Sequence, residues 1–127
     1  MSVTHSTAAR NAACNAVVDL LDTGSANAAG IARFRTSANV VVAALALTNP
    51  AFGSASSGQA VAAAITSDTA AAGGTIASLT LEDRDRNVVI TANDIRTTAG
   101  GDMQGSTLVI TGGSTVAITS LTYTAPQ

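Results

Sequence analysis

From Ile31 onward the apolar residues recur at every second position, in short runs divided by glycine-bearing turns. Such a pattern admits half-buried strands and little else, because successive side chains of a strand point to opposite faces. "IARFRT" sets Ala32 and Phe34 against Ile31, Arg33 and Arg35. Leu45 and Leu47 share one face of the next run, Val61, Ala63 and Ile65 one face of the run after it, and Ala77, Leu79 and Leu81 one face of "TIASLTLE". "DRDRN" reads as a polar turn from which "VVITA" returns, so a hairpin is predicted from Leu79 to Ala92. In "TVAITSLTYT" Val116 and Ile118 have the opposite parity to Leu121 and Tyr123, and a one-residue bulge at Thr119 or Ser120 would return all four to one core. About seven or eight such strands, over residues 30–125, predict a mostly β fold, a jelly-roll-like β-sandwich. Its expected core is Leu45, Leu47, Val61, Ile65, Leu79, Leu81, Val116, Ile118, Leu121 and Tyr123.

Residues 6–22, "STAARNAACNAVVDLLD", follow a different period and predict the one helix. Ala13, Val17, Leu20 and Leu21 fall on one expected apolar face. Ser6 or Thr7 can cap its N-terminus, and Gly24 suits the position just past its end. Asp19 and Asp22 oppose the helix dipole there, a small penalty.

A chain of 127 residues is expected to make a single domain, 1–127. Its apolar fraction of 46% is nearly half alanine, and Val, Leu, Ile and Phe together supply only 28 residues. With two Phe, one Tyr and no Trp the core is thin, so stabilisation by partner subunits is expected. Six Arg, no Lys and a net charge of −2 do not make the clustered cationic surface that nucleic acid requires. One cysteine, Cys14, forms no internal disulfide and fits a reducing compartment. "MSVTHSTAARN" has no apolar core of a signal peptide, and "VVVAALAL" is far too short for a membrane helix.

No credible chemistry emerges from the remaining residues. His5 is the single histidine and stands in a terminal segment, where no rigid scaffold brings partners to it. Cys14 lies among alanines mid-helix with no Lys or His beside it, which predicts a buried, unreactive thiol. Asp83, Asp85 and Asn87 begin like a calcium loop, with Asp94 at its twelfth position. Val88 replaces the glycine such a loop needs, and Arg84 and Arg86 would oppose a cation, so a solvated hairpin tip is expected instead. The paired glycines match no phosphate-binding pattern. The expectation is a chain with no catalytic residue, cofactor or metal.

The stretch Leu47–Asp68, "LTNPAFGSASSGQAVAAAITSD", carries almost only small or hydroxylic side chains and one charge. Such a surface packs closely on other protein, and Ser and Thr supply hydrogen bonds without the entropy cost of long charged chains. Phe52 is expected to plug either this chain's core or a neighbour, with Gly53 to Gly58 as a soft turn against another subunit. The candidate interface residues are Pro50, Phe52, Gly53, Ser54, Ser56 and Ser57, with Met103 from the weakly charged loop "TTAGGDMQG".

Three segments, "STAARNAACNAVVDLLDTGS", "LALTNPAFGSASSGQAVAAAITSDTAA" and "TVAITSLTYTAP", resemble a family of small virion proteins of tailed bacteriophages and prophages. The resemblance covers most of the chain and is most specific in "NPAFG" and the C-terminal strand; "IASLTLEDRDRN" departs from it. It implies a structural protein of the particle, foremost a capsid decoration (cement) protein on the virion surface, synthesised in the host cytoplasm. Its implied partners are the major capsid protein and itself, as a trimer or dimer, with neither nucleic acid nor membrane. A tail or neck component and a receptor- or glycan-binding module are the alternatives.

Overall fold

The computed structural model describes residues 4–97, 103–104 and 107–124. The chain is mostly β with one helix. Helix α1 (Thr7–Asp19) starts at Ser6, whose hydroxyl accepts from the Ala9 amide at 3.1 Å, and runs into a single 3-10 turn over Leu20–Asp22. Strands β1 (Ile31–Arg35), β2 (Val41–Ala46), β3 (Gln59–Val61), β4 (Gly74–Thr75), β5 (Ser78–Glu82), β6 (Val88–Ala92), β7 (Ile95–Arg96), β8 (Met103–Gln104), β9 (Val109–Ile110) and β10 (Thr122–Thr124) follow. Several are shorter than the alternation of the sequence suggests.

One antiparallel sheet, in the order β2-β1-β5-β6, forms the main layer. The expected hairpin is present as β5 paired with β6. The register sets Ala32 beside Leu45 and Leu81, and Phe34 beside Ala43 and Leu79, so all six share one face, and all six are buried. Antiparallel pairs β3–β10 and β4–β9 and the parallel pair β7–β8 complete the described strands. Helix α1 lies against β3 and β10. Its Cys14 and Val18, with Leu21 of the 3-10 turn, join the residues of the main sheet in one hydrophobic core.

The helix presents a different face from the one its apolar residues suggest. Of the expected face only Leu21 is buried, beside Cys14 and Val18, whereas Ala13 is exposed, Val17 is half-buried and Leu20 is 50% exposed. The buried stripe is flanked by Asn11 and Asn15, whose amides are needed on the inner side to hold a loop. A reading that sends every polar residue outward rotates the helix away from them.

Of the expected core, Leu45, Leu47, Leu79, Leu81, Val116 and Ile118 are buried, while Ile65, Leu121 and Tyr123 are half-buried. Val61 is a correction: it is 56% exposed, because its neighbour Ala60 takes the inward position of β3. The change of parity near Thr119 is real but is not a bulge within one strand. Val116 bridges Asp68, the chain bends at Thr119, and β10 then pairs with β3.

The hairpin tip "EDRDRN" is only partly solvated as expected: Asp85 and Asn87 are exposed, whereas Glu82 and Asp83 are buried and Arg84 and Arg86 half-buried. Asp83 is buried, and its Oδ1 accepts from the amides of Asp85 and Asn87, both at 2.9 Å. Asp85 Oδ1 reaches sixty residues back to accept from the amides of Ser25 and Ala26 at 2.9 and 2.8 Å. Gly24 makes this approach possible: at φ +112° a Cβ there would stand 2.7 Å from the Asp85 carboxyl carbon. The tip therefore fastens the loop after the helix to the main sheet.

Candidate contact surface

The stretch 47–68 starts just past β2 with the buried Leu47 and turns through a cis Asn49–Pro50 bond. Asp22, at the end of the 3-10 turn, accepts from the Ala51 amide through Oδ1 at 2.8 Å. This gives a use to a carboxylate that looked misplaced beside the helix C-terminus. Residues 51–53 then run beside β3: Gly53 N donates to Val61 O at 3.0 Å, Ala63 N to Ala51 O at 2.9 Å, and Phe52 bridges Ala62. Phe52 is 4% exposed and fills this chain's own core, the first of the two places the sequence left open.

Residues 56–59 form a tight hairpin turn, in which Ser56 N donates to Gln59 O at 2.8 Å and Gln59 N to Ser56 O at 3.0 Å. Ser57 and Gly58 both have positive φ, 53° and 75°, the pattern of a type I′ turn. Helix α1 holds this turn from below. Asn15 Oδ1 accepts from Ala55 N at 2.8 Å and Asn11 Oδ1 from Gly58 N at 2.7 Å. The Arg10 guanidinium lies so close over Gly58 that a Cβ there would sit 2.6 Å from its central carbon. The soft turn expected from the composition is thus a pinned one.

What this scaffold presents outward is small and uncharged. Pro50, Gly53, Ser54, Ser56 and Ser57 are exposed, while Ala51, Phe52 and Gly58 are buried beneath them. Met103 falls in β8, and its side chain lies outside the described residues. The three amide- or carboxylate-bearing residues that hold the surface, Asn11, Asn15 and Asp22, were missed in the sequence. A helix with polar residues spaced like its apolar stripe was the available signal.

The charged groups elsewhere are mostly spent on internal structure. Glu82, 1% exposed, lies on the outer face of the main sheet between Arg33 at 3.4 Å and Arg35 at 3.1 Å, and accepts from the Thr80 hydroxyl at 2.9 Å. Asp68 accepts from Ala44 N and Ala70 N, both at 2.9 Å, and the Ala44 bond above all holds its carboxyl below the usual carboxylate range. Cys14 is buried, its thiol pushed up by desolvation and donating to the Tyr123 carbonyl at 3.6 Å. His5 is exposed ahead of the helix. Among the described residues no three His, Cys, Asp or Glu side chains gather where they could hold a metal ion, and no helix is long and apolar enough to cross a membrane.

Comparison with family models, curated proteins and solved structures found no match for this chain.

Proposed function

We propose that this chain is a structural protein of a phage virion, a capsid decoration (cement) protein that binds the major capsid protein and other copies of itself, and that does no chemistry. The observation that carries this reading is the pinned surface over residues 50–57. It is exposed and uncharged, and side chains of α1 and the turn after it already order it. A surface ordered before binding loses little conformational entropy when a partner covers it. The resemblance of "NPAFG" and "TVAITSLTYT" to small tailed-phage virion proteins points the same way.

The layering supports a sandwich of the jelly-roll kind. The main sheet faces the β3–β10 pair and the segment bearing Phe52 across shared apolar residues. In a decoration protein such a body would be repeated over the shell, so that many weak contacts add.

The test is to mix the protein with shells lacking it, at low and high salt, and to sediment them. Cosedimentation at both salts is expected, because the surface offers few charges to screen. Ser54→Arg and Ser57→Glu should reduce it. Protein that stays in the supernatant and copurifies with tails would replace this reading with the tail or neck alternative. Specific retention on a glycan array would favour the receptor-binding module.

A further inference from the structure

The two edges of the main sheet are treated differently. In antiparallel strands alternate residues turn both backbone groups to the same neighbour. The bond from Leu47 N to Gly30 O sets the phase, so Val42, Ala44 and Ala46 of β2 face outward. All three are covered. Val42 O accepts from Ala72 N at 2.8 Å, Ala44 N donates to Asp68 Oδ2 at 2.9 Å, and Ala46 O accepts from Thr66 N at 2.9 Å. Carried across β1 and β5, the same alternation turns Ile90 and Ala92 of β6 toward β5 and leaves Thr91 facing outward. Among the described residues nothing pairs with the Thr91 N–H or C=O.

That free edge borders a cleft of about 360 Å³, where apolar side chains such as Phe52, Leu79 and Ile90 are joined by Thr91, Thr122 and Thr124. Among the described residues no charged one lines it. Unpaired strand edges recruit another strand. The occupant such an edge accepts is extended, uncharged and aliphatic on one face. Strand β6 itself, "VVITA", has those properties and carries its own free edge.

We propose that β6 pairs antiparallel with β6 of a second copy about a two-fold axis at Thr91, joining two main sheets into one. Each Thr91 donates its N–H to the other's carbonyl. The larger Ile90 falls opposite the smaller Ala92 of the second copy, on the cleft side. No charge in Val88–Ala92 meets its own image across the axis, so the strand does not repel itself. The covered β2 edge stops propagation, so main-sheet pairing closes at two copies instead of growing into a fibre. This deepens the self-association part of the function proposed above and rests on that part alone; capsid binding is not needed for it.

Sedimentation equilibrium of the whole chain over a range of concentrations tests it. The wild type is expected to follow a monomer–dimer equilibrium. Thr91→Pro removes the outward donor at an edge where proline is tolerated, and should weaken dimerisation by about tenfold or more with an unchanged circular dichroism spectrum. If that variant does not fold, Thr91→Lys serves, since an edge lysine blocks pairing by charge. A capped peptide of residues 87–93, "NVVITAN", should compete dimers apart. A wild type that stays monomeric throughout, or folded edge variants that dimerise as the wild type does, would overturn the proposal. Dimers that ignore empty shells would sink the capsid reading alone, and monomers that bind shells would sink this one alone.

Discussion

Arg35 Nη2 stands 3.1 Å from Glu82 Oε2 across the pairing of β1 and β5, and Glu82 is almost wholly covered there. Arg33 approaches the other carboxylate oxygen at 3.4 Å, and the Thr80 hydroxyl completes the set. Removing one member of a buried pair leaves the rest desolvated and unpaired, at about 3–5 kcal/mol. Glu82→Ala should cost near the lower end of that range, because both arginines retain some solvent access. Glu82→Gln keeps an acceptor for Thr80 and Arg35 and should cost less. Urea denaturation of the two variants checks the order.

The pinned turn makes a local prediction. Asn11→Ala and Asn15→Ala each remove one side-chain acceptor from a loop amide and should cost about 1 kcal/mol apiece. Hydrogen exchange should accelerate at Gly58 in the first variant and at Ala55 in the second, with the main sheet unaffected. Gly58→Ala should cost more than either, since a side chain meets both positive φ and the Arg10 guanidinium.

Core and surface positions of similar appearance in the sequence should separate clearly. Leu81→Ala empties a buried site between Ala32 and Ile90 and should cost about 2–5 kcal/mol. Val61→Ala, at an exposed position of β3, should change stability by about 0.5 kcal/mol or less. Equal losses in denaturant melts would contradict the register of β3.

Acid should weaken the fold through two aspartates. The Asp85 carboxyl is held low by the amides of Ser25 and Ala26, then by Arg84, and the Asp68 carboxyl by the amides of Ala44 and Ala70. A folded-state pKa below the unfolded value of about 3.9 contributes stability above that pH, and the contribution is lost as pH falls through the folded value. The urea midpoint should therefore hold near neutrality and decline below about pH 4. Asp85→Asn should flatten the decline.

Alternation was enough to place β1, the β5–β6 hairpin and the inward faces of Leu45, Leu79 and Leu81, because each lies in a run long enough for period two to register. It failed at Val61, where β3 has three residues and Ala60, too small to weigh in a hydropathy pattern, is the buried one. It failed again for polar residues that act at long range. Asp22 serves Ala51, Asn15 serves Ala55, and Asp85 serves Ser25, contacts that no local spacing encodes. The exposed serines of the candidate surface were readable from composition, whereas the helix side chains that order them were not.

The thiol of Cys14 offers a probe of how the helix leaves β10. It is fully buried against the core and donates to the Tyr123 carbonyl at 3.6 Å. Burial raises its pKa, so little thiolate forms near neutral pH and no solvent path reaches what does form. A reagent such as a nitrobenzoate disulfide can react only when α1 separates from β3 and β10, and the labelling rate then reports that opening. Native protein should label far more slowly than urea-unfolded protein. Asn11→Ala and Asn15→Ala loosen the helix from the loop beneath which it packs, and should accelerate labelling in the native state. Labelling of the wild type at the unfolded rate would show that the helix does not stay on β10, and the pinned surface it supports would fall with it.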